Sequence, residues 1–519
     1  MMKTIFTLVV LSIAILTSAQ VASFEQKIKS PDPGFTSEMF GNKVAIDGDI
    51  MVVSDPRDRH DLTGQVSQAI IGAVYVYRKD ANGDWVFEQK LRHPNVTFNS
   101  NFSFDLAVKN NLIVVGSNGH QTNANGGFTL NGAGSVFIYR YNTNTSLWEF
   151  ASQLVSTDRQ TGARFGASVA FSGNNELIVG EYGRNGTNPN VIGAGRAYVY
   201  VVANDGNATL RQIINNPEPG DDDFFGWTVT GDGTQIAIAA IYDDIGTGVN
   251  LVDRAGAIYM YEKDAANQYT FTQKITASNP RQSALYGNSM ALQNDVLIVG
   301  APDESTQFTN GVQRYGAAYA YKNINGTWQE SDRFLPQGLV PGGRFGWSVS
   351  LDNNQVLISH HKGSNPPSVF NGPGIVFLYQ LDPITGTRTQ TSIVESPFPA
   401  TSAAFGLSCV IQNGLITVGA FGDSTDLQGV YDEFNVGAVY TYTTSSTASM
   451  NEQDREVVKL YPNPATDFIR LQTTGTGTYL IHNTLGQMVL HGNYVPNDQP
   501  ISITSLKTGL FFITLETAG

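Results

Sequence analysis

Carboxylates cluster at two places in this chain, Asp221-Asp222-Asp223 and Asp243-Asp244. Oxygen ligands of this kind are what a hard cation such as calcium requires, and five together could hold one, although loop acids are more commonly just solvated. Asp80-Ala81-Asn82-Gly83-Asp84 has the spacing of a calcium loop. The corresponding turns at 263–267 and 322–327 do not keep its acids, so it reads as a plain Asn-Gly turn. His360 and His361 are adjacent on a strand end, where neighbouring side chains point to opposite sides, so a shared metal is not expected. Cys409, the single cysteine, lies in an apolar strand and reads as a small buried residue that can form no intrachain disulfide. There is no His-Glu-x-x-His, Gly-x-Ser-x-Gly, P-loop, Asp-box or Arg-Gly-Asp pattern, and no pair of acids can be assigned acid and base roles. No residue is assigned a catalytic role, and calcium is the one cofactor these acids leave open.

Such residues work only where the fold positions them, and here the fold announces itself by repetition. Phe40-Gly41, Phe104-Asp105, Phe165-Gly166, Phe225-Gly226, Tyr286-Gly287, Phe345-Gly346 and Phe405-Gly406 follow one another at 64, 61, 60, 61, 59 and 60 residues. After each mark comes a short strand, a tight turn such as Asp47-Gly48-Asp49, and a second, wholly apolar strand such as Val296–Val299. A loop of roughly 14 to 18 residues leads to a third strand that opens with Gly and alternates with aromatics, as in Gly72-Ala73-Val74-Tyr75-Val76-Tyr77. A polar turn and a fourth strand, such as Trp85–Leu91, complete the unit.

Strands apolar on both sides need cover on both faces, and four-stranded sheets arranged radially around an axis provide it. The expectation is an all-β chain with a seven-bladed propeller over 20–446. The seventh unit lacks a fourth strand, and Phe24-Glu25-Gln26-Lys27-Ile28 matches Phe87-Glu88-Gln89-Lys90-Leu91. The N-terminal strand is therefore expected to close the last blade and remove an open edge.

In an up-and-down blade the loop after the second strand and the loop after the fourth emerge on the same end. They are the long, varied loops here, and binding residues usually sit on such loops. Any ligand is expected to meet the face carrying His60, His120, Tyr182, Tyr242, Asp243, Asp303, His361, Phe421 and Tyr431.

The Phe-Gly marks, the run Ile298-Val299-Gly300-Ala301-Pro302 and the Gly-Ala-x-Tyr-x-Tyr strands make residues 24–446 resemble FG-GAP repeat proteins, the group that includes the propeller of integrin α-subunits. The resemblance speaks to fold, since one fold hosts many activities. Calcium is associated with Asp-x-Asp-x-Asp-Gly loops in that group. Here the corresponding turns hold at most Asp47 and Asp49, too few for a calcium ion.

The ends of the chain differ from its body. Met1-Met2-Lys3, the apolar run Phe6–Leu16 and Thr17-Ser18-Ala19 read as a signal peptide over 1–19, too short for a membrane anchor. After a polar linker at 447–456, residues 457–519 break into short strands with Gly and Asn turns, the pattern of a small β-sandwich. Their opening Tyr461-Pro462-Asn463-Pro464-Ala465-Thr466-Asp467 resembles the type A C-terminal sorting domain of the type IX secretion system of Bacteroidetes. Residues Tyr461, Pro462, Asn463, Pro464 and Asp467 carry that resemblance. Such domains usually continue into a last strand with a basic end, whereas this chain stops at Glu516-Thr517-Ala518-Gly519, so that either the end is missing or the final step of sorting is impaired.

A formal charge of −14 over 519 residues disfavours nucleic acid and anionic membranes as partners, and no transmembrane segment is expected. The resemblances imply a secreted or outer-membrane surface protein whose partners are the type IX machinery and an unknown extracellular protein or glycan. Recognition or adhesion is the leading expectation. A polymer-degrading hydrolase or lyase with its site at the propeller mouth, or a structural envelope component, are the alternatives.

Overall fold

The computed structural model describes residues 21–32, 38–60, 70–94, 100–123, 127, 129–188, 190–308, 311–336, 342–362, 372–400, 403–431, 437–445, 459–461, 465–472, 476–483, 487–495, 500–507, 509 and 511–517. Residues 1–19, read from sequence as a signal peptide, and 447–456, read as a linker, lie outside them. The chain divides into two compact units, one of which is Val21–Ser445.

Within Val21–Ser445 the first six repeats are four-stranded antiparallel sheets in sequence order, and the seventh takes its fourth strand from the N-terminal end. The first blade is Val44–Asp47, Ile50–Asp55, Ala73–Lys79 and Trp85–Leu91. Its second strand is buried along its whole length. Alternate residues explain why: Val52 packs with Leu106, Ile113 and Phe137 of the second blade. Met51 and Val53 pack with Leu415 and Val439 of the seventh. Each hydrophobic core therefore lies between blades, and a strand with a neighbour on both faces has no polar side.

The seams between blades are made of backbone. A Cβ added to Gly134, which opens the third strand of the second blade, would lie 2.1 Å from the carbonyl oxygen of Phe165 in the next. Gly195 meets Phe225 at 1.9 Å, and Gly437 meets Phe40 at 2.3 Å across the closure. Only glycine permits that approach. The Phe side chains behind the seam are wholly buried at Phe40, Phe165, Phe225, Phe345 and Phe405.

Register corrects the second mark. Phe102 pairs with Ser117 as Phe165 pairs with Glu181, and Phe102, not Phe104, is the fully buried ring. Blade two is thus marked by Phe102-Ser103, and the first two intervals become 62 and 63 residues. The sequence pattern misled because Phe104 also precedes a small polar residue. Ser103 holds the left-handed backbone, φ 70°, that glycine holds in the other six blades, and its buried hydroxyl has no hydrogen-bond partner among the described residues.

Closure follows the expected route. Val21–Ile28 pairs antiparallel with Ala438–Ser445 as the outer strand of the seventh blade. It carries a register shift between Phe24 and Gln26, and the outer strand of the first blade is irregular at the same place, where Val76 pairs with Gln89 and Tyr77 with Phe87. Gln26 then clamps the ring: its amide donates to the Trp85 carbonyl at 3.1 Å and accepts from the Trp85 amide at 2.9 Å. Gln89 does the same to Trp148, Gln212 to Tyr269 and Gln273 to Trp328.

The second unit holds two three-stranded sheets. One joins Lys459–Tyr461, Phe468–Gln472 and Pro500–Ser502, and the other joins Met488–Tyr494, Gly477–Asn483 and Phe511–Thr517. Ile469, Leu471, Ile481, Tyr494, Ile501 and Ile513 form one core between them, a small β-sandwich.

Two consequences are measurable. Lys27, on the closing strand, lies 3.1 Å from the fully buried Asp423 carboxylate. Lys27→Ala leaves that charge unpaired and is expected to cost about 3 kcal/mol in urea unfolding. A loss under about 1 kcal/mol would contradict the pairing's role in closure. Ser103→Gly removes both a left-handed side chain and an unpartnered hydroxyl, so it is expected to raise stability by about 1 kcal/mol. A destabilised variant would place the Phe-Gly mark elsewhere.

Candidate functional site

The seven first strands line a cavity of about 430 Å³ on the propeller axis. Its wall takes the two residues that follow the two-residue mark of each blade, among them Lys43, Phe104, Asp105, Trp227, Asn288 and Trp347. Their hydroxyls and carboxylate seal the ring: Asp105 accepts from the Val169 amide, Ser168 from Val229, Ser348 from Cys409 and Ser408 from Val44, all within 3.2 Å.

An aromatic rim stands at this mouth on the side of blades three to six. Tyr182 lies 4.7 Å from Trp227 and 5.1 Å from Phe224, the planes of Phe224 and Trp227 are 10° apart, and Tyr242 lies 5.3 Å from Phe224. Trp347 carries His361 at 5.0 Å and the Arg344 guanidinium at 5.0 Å. Arg254 lies 5.2 Å over Tyr242. Burial and the neighbouring cations hold His361 down at about 3, so it is neutral at physiological pH. In blades two to seven the residue before the buried aromatic holds left-handed backbone: φ is 64° at Arg164, 57° at Phe224, 55° at Leu285 and 58° at Arg344. Such conformations cost roughly 1 kcal/mol or more for side-chain-bearing residues.

The residues expected from sequence divide into rim and scaffold. Tyr182 and Tyr242 both pack on Phe224 in the rim, His361 is buried beside Trp347, and Asp303 pairs with Arg344 at 3.3 Å. Phe421 is half-buried, and Tyr431 is 71% exposed on the loop of the seventh blade. His60, His120 and Asp243 are buried. His60 Nδ1 lies 3.2 Å from the buried Glu38 carboxylate, and His120 Nδ1 lies 2.9 Å from Ser135 Oγ.

Asp243 belongs to a repeated internal device. It accepts from the Tyr259 hydroxyl at 2.6 Å and pairs with Lys274 at 3.0 Å. Asp58 does so with Tyr75 and Lys90, Glu304 with Tyr319 and Arg333, and Asp423 with Tyr440 and Lys27. The cation always comes from the outer strand directly opposite the tyrosine. In blade two the tyrosine is Phe137 and the carboxylate's place is taken by His120, 5.1 Å from that ring. These acids tie long loops to the blades beneath.

The five aspartates proposed as cation ligands are engaged separately. Asp221 accepts from the Ile192 amide at 3.0 Å, Asp244 from the Arg254 amide at 2.7 Å, and Asp222 lies 4.0 Å from Arg254. Asp223 is buried, accepts from Asn216 at 2.9 Å, and is pushed up to about 6 by burial, with the Asp243 charge adding to it. Asp32, Asp58 and His60 bring ligand atoms within 4.8 Å of one another. Lys90 Nζ already supplies the cation there, 2.5 Å from Asp32 and 2.8 Å from Asp58. Asp47, the calcium-loop position, accepts from Lys109 at 3.1 Å and the Asn110 amide at 2.8 Å. Asp80 accepts from its own turn amides at Asn82 and Asp84. Burial pushes the Cys409 thiol up to about 12.

Sequence reasoning missed Phe224, Trp227, Arg344 and Trp347. Their signal was positional: they flank the marks already identified, and only alignment on the structural Phe shows that these two positions vary freely while the mark does not.

FG-GAP repeats match residues 23–77, 148–200 and 269–321, and the secretion system C-terminal sorting domain matches 459–519. The chain therefore carries an FG-GAP propeller. It ends in a type IX secretion sorting domain, which makes it a secreted or cell-surface protein served by that machinery. In that domain Tyr461 ends the strand Lys459–Tyr461, Asp467 accepts through its carbonyl from the Ile503 amide, and Pro462, Asn463 and Pro464 lie outside the described residues. Among the described residues no helix is long and apolar enough to cross a membrane. Solved structures similar to the chain include a protein from Lactobacillus plantarum, at 12% identity over 69% of this chain and 86% of that one, with a TM-score of 0.41. Saccharomyces cerevisiae Sqt1 matches at 9% identity over 82% of this chain and 99% of its own, with a TM-score of 0.40. No curated protein matches.

Burial of acids in this scaffold has a sign that can be checked. Burial holds Glu38 at about 8, Asp55 at about 7 and Glu181 at about 7, all raised above their unfolded values. Between pH 6.5 and 8 the folded chain therefore binds more protons than the unfolded one, and stability falls as pH rises. His360 and His361, both lowered, act in the opposite sense only below about pH 6.5. Melting temperature is expected to drop by about 2 °C or more across pH 6.5 to 8, and Glu38→Gln should flatten the slope. A rising profile would contradict the buried acid cluster.

Proposed function

We propose that this is an exported recognition protein that binds an extracellular glycan or protein in the mouth of its propeller. The observation that carries the reading is the rim of Tyr182, Phe224, Trp227, Tyr242 and Trp347 around an axial cavity, with arginines laid over two of its rings. Aromatic and arginine side chains concentrate binding energy at recognition surfaces. The backbone supports the same reading, because several side chains are displayed there from a conformation that glycine would adopt at lower cost.

The signal peptide and the sorting domain would deliver this module to the surface, where adhesion is one use for it. A hydrolase or lyase would need an acid and a base facing the cavity. Among the described residues the charged groups lining it are Lys43 and Asp105, paired at 3.6 Å.

Trp227→Ala and Trp347→Ala test the reading on a glycan and protein array probed with the full chain. Each is expected to weaken binding on the order of tenfold or more, with the melting temperature within about 4 °C of the parent. Binding that survives both would place the ligand elsewhere.

A further inference from the structure

The wall of the axial cavity is built in tiers. The first residue after each mark supplies the tier nearest the mouth: Phe104, Trp227 and Trp347 on blades two, four and six, with Asn42 and Asn288 on blades one and five. Asn288 donates its amide to the Trp347 carbonyl at 3.1 Å, and Asn42 makes no side-chain hydrogen bond among the described residues. The next tier is hydroxyl at Ser168, Thr228, Ser289, Ser348 and Ser408, completed by Lys43 and Asp105. Deeper still, Val44, Leu106 and Val169 are buried and apolar. Among the described residues no unpaired charge faces this space. Lys43 and Asp105 lie 3.6 Å apart, the Arg344 guanidinium meets Asp303 at 3.3 Å, and Arg254 lies 4.0 Å from Asp222. On the loops around the mouth Asp221, Asp244 and Asp253 stand against Arg164, Arg281 and Lys362, so neither sign prevails.

We propose that the ligand of this mouth is a neutral glycan, a chain of uncharged sugar rings whose end enters the axial cavity. The inference rests on reading the mouth as a recognition site and adds the chemical class of what enters it. A charged ligand would give up its hydration in the cavity without finding a free counter-charge there. An anion would also meet Asp105 and a chain of formal charge −14, and a cation would meet Lys43, whose side chain is 47% exposed. A neutral pyranose fits what remains. Its C–H face packs on an indole such as Trp227 or Trp347, while hydroxyls around its edge meet the amides and hydroxyls spaced round the wall. The alternation matters, because Asn42 and Asn288 stand between aromatic blades, so apolar and polar contacts are offered together. A peptide entering end-on would bring a charged terminus that the cavity does not neutralise. The cavity, about 430 Å³, lies within the range of about 300–1,000 Å³ usual for small-ligand sites.

The test uses the full chain with dextran, mannan and laminarin as neutral probes, polygalacturonate as an acidic one and chitosan as a cationic one, at about 50 mM and about 300 mM salt. At least one neutral polymer is expected to bind roughly tenfold tighter than either charged polymer. Its affinity should change less than about twofold between the two salts, because only interactions between charges are screened. Asn42→Ala is expected to weaken that binding about fivefold, the worth of a neutral hydrogen bond. Trp347→Ala should weaken it on the order of tenfold or more, and both variants should melt within about 4 °C of the parent. A charged polymer bound tighter than the neutral ones, lost with Trp347→Ala and falling severalfold in affinity with salt, would overturn the neutral class while leaving the mouth as the site. A neutral polymer bound equally by the parent and by the Trp227→Ala and Trp347→Ala variants would overturn both readings. No binding by any of these polymers would overturn the neutral-glycan inference, and an arrayed protein then bound through Trp347 would take the glycan's place in the mouth.

Discussion

Seven blades can stand around one axis only if adjacent backbones touch where the sheets converge, and every other feature of this propeller accommodates that contact. The glycine that opens each third strand faces the carbonyl of the buried aromatic in the next blade, at a distance no Cβ could share. The aromatic ring behind that carbonyl fills the wedge that opens as the blades diverge. One glycine and one aromatic, repeated, thus set both the closest approach and the spacing beyond it. The seam between the seventh and first blades, Gly437 against Phe40, obeys the same geometry as the rest. Closure is therefore a repetition of one contact, not a special joint.

Further from the axis the blades separate and side chains replace backbone as the connection. Hydroxyls on the first strands accept amides of the next blade, and glutamines on the outer strands clamp the next blade's backbone at Trp85, Trp148, Tyr269 and Trp328. Between these two rings the tyrosine, carboxylate and cation sets anchor the long loops from below. Their acids are buried and their cations come from a different strand, so each set ties a loop to the outer edge of its own blade. Removal of one member would strand a charge in the interior, which makes these positions intolerant of change.

That anchoring separates structure from display. Charges that look available in the loops are largely consumed inside: Asp58, Glu181, Asp243, Glu304 and Asp423 all face inward. What remains at the mouth are residues beside the two-residue marks, several of them on left-handed backbone. The left-handed conformations at Arg164, Phe224 and Arg344 hold those side chains out at a cost that the closed ring absorbs. A recognition surface on such a base loses little ordering entropy on binding.

Sequence by itself determined the repeat, the four-strand unit, the closure by Phe24–Ile28 and the separate C-terminal sandwich, because spacing and apolar alternation are local properties that a chain must display to fold this way. It also determined which end carries the long loops, since strand order alone dictates where each loop emerges. It could not say that Phe102 outranks Phe104, because both satisfy the local pattern and only pairing across to Ser117 distinguishes them. Nor could it tell a displayed acid from an anchored one. Asp243 and Asp303 both lie in the loop that follows a second strand, yet one is bound to Tyr259 and Lys274 in the interior and the other to Arg344 at the rim. Contacts between residues tens of positions apart decide that difference, and tertiary structure alone brings them together.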